Sequence, residues 1–171
     1  YSIDEPRQQV RHNLLKLSGH IALRRGELRV QYGFQSNNRK EFDLRMGDLS
    51  SVPALNLKLL THSVETEWET SLSETWSVCT GFTGMFQQNS KVDGTQRVPF
   101  IPNFNSVSAG WFGVSKFYLR QWTVDLGLRY DYRYYSVAGY DYKNSLFRSE
   151  LDFNNISATA GATVRLKENE T

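Results

Sequence analysis

Large apolar or aromatic side chains occupy every second position of one stretch: Trp122, Val124, Leu126, Leu128, Tyr130, Tyr132 and Tyr134. Between them stand Thr123, Asp125, Gly127, Arg129, Asp131 and Arg133. A period of two is the side-chain period of a β-strand, so the two series lie on opposite faces of a sheet. A helix would scatter both series around its axis.

The same alternation recurs along the chain and predicts seven strands in sequence. The first covers about 9–23, where Leu15, Leu17, Gly19, Ile21 and Leu23 alternate with Lys16, Ser18, His20 and Ala22. Arg24-Arg25-Gly26-Glu27 is a short turn, with Gly26 free to take a positive φ. The second strand starts at Glu27, with Leu28, Val30, Tyr32 and Phe34 against Arg29, Gln31, Gly33 and Gln35, and extends toward Leu44. A longer loop follows at 45–54. The third strand begins near Leu55, but its apolar parity changes: Leu55, Leu57 and Leu59 are followed by His62, Val64, Thr66 and Trp68. A β-bulge is one expected cause. A short connection at 69–74 leads to the fourth strand, with Trp76, Val78, Thr80, Phe82, Gly84 and Phe86 on one face. A long polar loop is expected at 89–104. The fifth strand, about 105–119, has Val107, Ala109, Trp111 and Phe117 in one register, interrupted by Phe112 and Val114. The stretch from Trp122 is the sixth strand, and a long loop is expected at 137–152. In the seventh, Ile156, Ala158, Ala160, Ala162, Val164 and Leu166 alternate with small and polar residues.

Short connections thus alternate with long ones, so all short turns fall at one end of the sheet. Outer-membrane barrels share that asymmetry, with short periplasmic turns and longer outer loops. The strands are also long, against about 5–6 residues for soluble strands and roughly 9–11 for a tilted membrane strand. The expected fold is all-β, an antiparallel meander of about seven long strands forming part of a transmembrane β-barrel. Trp122, Val124, Leu126, Leu128, Ile156, Val164 and Leu166 are expected to face lipid. Gln31, Gln35, Arg129, Asp131 and Arg133 are expected to face a wet lumen. Tyr130, Tyr132 and Tyr134 belong near the upper interface, where amphipathic rings are favoured. The competing reading is a soluble meander or ligand-binding β-barrel with one buried face.

Composition changes this picture little. A net charge of +2 gives no reason to expect nucleic acid as a partner. No apolar run approaches the roughly 20 residues of a spanning helix. Low mean hydropathy does not exclude a membrane barrel, because alternation keeps the average low. The single cysteine, Cys79, precludes an internal disulfide and reads as a small buried hydrophobe. His12, His20 and His62 are far apart without ligand-spaced companions, so no metal site or cofactor is expected. No catalytic triad, phosphate loop or dinucleotide fingerprint is present, and an enzyme is the least supported class. Arg39 to Asp43 reads as a charged strand extension. Tyr140, Tyr142 and Phe147 form an aromatic-rich loop segment suited to ligand contact.

Four segments resemble the barrel of bacterial TonB-dependent outer-membrane receptors: YGFQSNNRKEFD (32–43), PALNLKLLT (53–61) with GFTGMFQQN (81–89), VPFIPNFNSVSAGWF (98–112), and WTVDLGLRYDYR (122–133) followed by NISATAGATVRL. Their order and spacing are similar to the family's middle barrel strands, and GLRYD after a short turn is the most specific. The resemblance implies an outer-membrane receptor that takes up a bulky nutrient, such as a ferric siderophore or haem, with energy coupled through TonB. Such receptors have about 22 strands and a plug. The plug, its coupling box, a signal peptide and a closing strand are not recognisable here.

The expectation is therefore a partial barrel domain over 1–171, a fragment whose partners are the rest of the barrel, the plug, outer-membrane lipid and a small-molecule nutrient. A small independent outer-membrane barrel with a structural or adhesion role is the alternative. Seven strands leave two open edges, which hydrocarbon does not tolerate, so the isolated chain is expected to self-associate.

Overall fold

The structure, a computed structural model, describes residues 6–43, 49–97, 101–140 and 145–166. Seven antiparallel strands form one sheet in chain order. They are β1 (Arg7–Ala22), β2 (Glu27–Phe42), β3 (Leu55–Ser73), β4 (Trp76–Lys91), β5 (Asn103–Leu119), β6 (Trp122–Tyr140) and β7 (Leu146–Val164). The fold is the all-β meander that the alternation predicts. The sheet is not closed: β1 and β7 each pair with one neighbour.

Directly opposed residues share a face, so the register sorts every side chain. One row reads Ser18, Gln31, Glu65, Thr83, Gly110, Asp131 and Asn155 from β1 to β7. Another, on the opposite face, reads Gly19, Val30, Thr66, Phe82, Trp111, Tyr130 and Ile156. A cavity of about 480 Å³ is lined by the first face from Gln31 on β2 to Asn155 on β7. A flat sheet offers no such enclosure, so the polar face is the concave one.

The convex face carries the apolar band. Its rim near the short turns holds Trp68, Trp76, Phe117 and Trp122. Trp76 stacks on Phe117 with centroids 5.7 Å apart, and the Trp68 indole donates to the Arg25 carbonyl at 3.2 Å. At the other rim, one row joins Leu15, Phe34, His62, Phe86, Val107 and Tyr134. His62 lies 4.9 Å from the Phe34 ring and hydrogen-bonds the Tyr32 hydroxyl at 2.7 Å. The next row out is polar on five strands: Asn13, Ser36, Gln88, Asn105 and Ser136.

The short turns step along the sheet. Glu27 is seven positions from Phe34, whereas Trp122 is twelve positions from Tyr134 on the same row. The third turn therefore sits about five residues further along than the first, across four strand spacings. At about 3.4 Å per residue and about 4.8 Å per strand, that slope is about 40°, within the roughly 35–45° tilt of closed barrels.

There is almost no conventional core. Among the described residues the buried hydrophobic side chains are Phe42, Ala54 and Leu57. Trp111, Trp122, Leu126, Leu128 and Ile156 stand exposed on the convex face.

Three expectations are corrected. The parity change on β3 is not a bulge: pairing with β2 runs unbroken from Leu55 to Glu69, and the register shift lies at Ser71/Ser73 beside the turn. Leu55, Leu57 and Leu59 share the concave side with Ser63 and Glu65. The environment changes face beyond the band while the backbone does not. Second, no long loop spans 137–152, because Val137 to Tyr140 pair with Ser149 to Leu146, extending β6 and β7 into that stretch. Polar residues on both faces disguise this strand extension, since neither face is buried there. Third, Cys79 is half-exposed on the concave face opposite Glu69 rather than buried.

Turn chemistry follows local sequence. Gly26 has φ 93°, and a Cβ there would meet the Glu69 carbonyl at 2.0 Å. Between β5 and β6, Arg120 takes the left-handed conformation at φ 53°. The connections after β2 and β4 are joined by Gln96. Its amide accepts from Leu49 N (2.8 Å) and donates to the carbonyls of Leu49 (2.9 Å) and Val52 (2.7 Å). Arg97 adds an ion pair to Asp43 at 2.7 Å.

Candidate functional site

The candidate site is the concave face. Alternation on β2, β3, β4 and β6 turns every second residue toward it, and across the cavity these residues are polar, charged or glycine except for Met85 on β4. Arg129 donates to Asp131 twice, from Nε at 2.7 Å and Nη2 at 2.6 Å, and Nη2 also donates to Thr83 Oγ1 at 3.2 Å. Gly110 lies beneath this group: a Cβ there would come within 2.5 Å of Asp131, 2.7 Å of Arg129 and 2.8 Å of Thr83. The fork spans β4 to β6 because β5 offers no side chain at that point. Phe112, one row nearer the short turns, lays its ring over Gly81, where a Cβ would meet the ring at 2.6 Å.

A second ionic group lies toward the short turns on β1–β3. Arg29 contacts Glu67 at 2.5 Å and Glu69 at 2.9 Å. His20 contacts Glu27 at 2.7 Å. Farther from the turns, Arg39 pairs with Glu41 on the same face. Lys116 and Asp125 pair at 3.5 Å on β5 and β6. These groups are part-exposed, so each pair contributes on the order of 0–1 kcal/mol. Their effect is to make a wettable surface of both signs, able to hydrogen-bond a polar occupant.

Gln31, Arg129, Asp131 and Arg133 all line the cavity. Gln35 shares their face, two residues beyond Gly33, outside the cavity lining. Trp122, Val124, Leu126, Leu128, Ile156 and Val164 share the convex face, and Leu166 lies past β7 with 80% of its surface exposed. Tyr140 and Phe147 do not form a common platform. Tyr140 pairs with Leu146, Phe147 pairs with Gly139, and the two rings belong to opposite faces. Tyr142 lies outside the described residues.

Glu65, Thr83, Arg29 and Glu67 also line the concave side, and the reading by residues singled out none of them. The alternation His62, Val64, Thr66, Trp68 held the signal, since its complement is Ser63, Glu65, Glu67. Gly110 carries no such signal, because an absent side chain matters only through what crosses it. The histidines contact Asn37, Glu27 and Tyr32; none of these contacts pairs a histidine with serine, threonine or cysteine. Among the described residues no group of three or more His, Cys, Asp or Glu side chains is placed to hold a metal ion.

Fold and faces together define an open antiparallel meander with a polar concave side and an apolar convex side. No protein-family model matches the chain, and neither does any curated protein.

Proposed function

We propose that the seven strands are a length of outer-membrane β-barrel wall, with the convex face in lipid and the concave face lining the lumen. The observation that carries this reading is the apolar band. On β4 it runs from Trp76 to Phe86, about 34 Å along the strand and about 26 Å along an axis tilted by 40°, close to the roughly 25 Å band of membrane barrels. Aromatic rings mark both rims, as amphipathic or polarisable groups do at membrane interfaces. A water-soluble sheet gains stability by burying such a face, and this one does not. The open edges on β1 and β7 need further strands, because unpaired backbone is too costly in hydrocarbon.

Within that class, the resemblance of its segments supports a TonB-dependent receptor that imports a bulky nutrient such as a ferric siderophore or haem. The wall would enclose the plug, and the ionic groups would keep the lumen wet. Two measurements test the proposal. The chain in buffer should form only oligomers by light scattering, and a stable monomer without detergent would sink the wall reading. In vesicles, brominated lipid tails should quench Trp111 and Trp122. For the receptor reading, a strain lacking the gene should lose TonB-dependent uptake of at least one chelated-iron source. Unchanged uptake of all such sources would count against it.

A further inference from the structure

Beyond the outer rim of the apolar band, the convex face of β1–β3 changes to cations. Arg11 is opposed to Asn38, and Asn38 to Lys58, in a row two steps past that of Leu15, Phe34 and His62. Lys40 occupies the next row, between Gln9 and Asn56. Arg7 follows, its guanidinium 4.4 Å from the Phe42 ring. Among the described residues, this part of the convex face holds these four cations and no carboxylate.

The other side of the same strands differs. There Arg39 is neutralised by Glu41. The convex face of β7 differs as well, since Arg148 is accompanied there by Glu150 and Asp152. The uncompensated positive charge is thus local to β1–β3 and to one face. Strand spacings of about 4.8 Å and next-but-one spacings of about 6.8 Å place Arg11, Lys40 and Lys58 within about 10 Å of one another. Like charges so close repel, and an anion between them relieves that cost. Along the tilted axis this row lies about 10 Å past the aromatic rim, and long basic side chains reach back by several ångströms. That is the headgroup layer, which adds about 5–7 Å beyond the hydrocarbon on each side.

We infer that Arg11, Lys40 and Lys58, with Arg7 beside them, form a binding surface for the phosphate groups of an anionic lipid at the outer rim of the barrel. This rests on the wall reading above. The surface is not a lumen site and does not touch the nutrient path. It would hold a shell of phosphate-bearing lipid against one sector of the wall.

The test uses the 171-residue chain as its self-associated, edge-paired form, mixed with phosphatidylcholine vesicles with or without a minor fraction of phosphatidic acid, and reads association by flotation. Phosphatidic acid should strengthen association, and rising salt should weaken that preference. Each of Arg11→Gln, Lys40→Gln and Lys58→Gln should reduce the preference about fivefold, from about 1 kcal/mol per cation at a charged surface. Arg39→Gln, on the other face, should leave it unchanged. Inorganic phosphate at matched ionic strength should not abolish it.

A triple variant with full preference would overturn the inference. So would equal loss in Arg39→Gln, salt-independent preference, or complete competition by free phosphate. The phosphatidylcholine arm separates the two readings. Vesicle association there with no phosphate preference sinks the lipid site alone; a stable detergent-free monomer that associates with neither vesicle sinks the wall reading and the lipid site with it.

Discussion

Arg129 grips Asp131 through two hydrogen bonds of 2.6 and 2.7 Å, and the grip passes over the bare backbone of Gly110. This relationship ranks the glycines. At Gly110 an added methyl would strike only the ends of flexible side chains, which can swing away. At Gly26 it would strike the Glu69 carbonyl at 2.0 Å, with φ already at 93°. Gly110→Ala should therefore cost no more than the exposed pair it displaces, about 1 kcal/mol. Gly26→Ala should cost about 2 kcal/mol or more, since backbone must shift and the residue is strained. Urea unfolding of the vesicle-inserted protein measures both, and an inverted order would contradict the assigned geometry.

Consecutive residues on β2 test the two faces. Val30 is convex and within the apolar band; Gln31 is concave and opposite Glu65. On the proposal that the convex face meets lipid, Val30→Arg should destabilise the membrane-associated state by about 2–4 kcal/mol, the cost of a cation on that side. Gln31→Arg should be nearly neutral. Similar penalties for both would mean that the two sides meet the same solvent.

Gln96 should lock the connections after β2 and β4 together. Gln96→Ala removes three side-chain hydrogen bonds to Leu49 and Val52, each worth about 1 kcal/mol when its partners are shielded from water. Limited proteolysis should then cut faster near 49–53 and 92–97, with the strands still protected. Unchanged cleavage would show that other contacts hold these segments.

Arg120 occupies a left-handed backbone conformation without being glycine. Arg120→Gly should relieve that strain and stabilise the β5–β6 hairpin by up to about 1 kcal/mol, less the added freedom of the unfolded chain. A higher urea midpoint is the expected result, and a lower one would assign Arg120 a contact that offsets the strain.

Most of the strand framework was legible because alternation is local. Trp122 to Tyr134 states its own period, and Gly26 marks its turn without reference to distant residues. Where solvent changes along a strand, the same logic misled. Leu55, Leu57 and Leu59 suggested a shifted backbone, but only the surroundings had changed. Polar residues on both faces likewise concealed the continuation of β6 to Tyr140 and the return of β7 from Leu146.

The order of residues alone determined most of the strands and the two chemically distinct faces, because each depends on neighbours one to four positions apart. Tertiary structure decided which residues meet across strands: Arg129 with Thr83 over Gly110, Phe112 over Gly81, and Gln96 with Leu49 and Val52. It also decided the stagger of the turns, and hence the tilt of about 40°. Register sets these relationships, and register is a property of pairs of strands that no single stretch of chain contains.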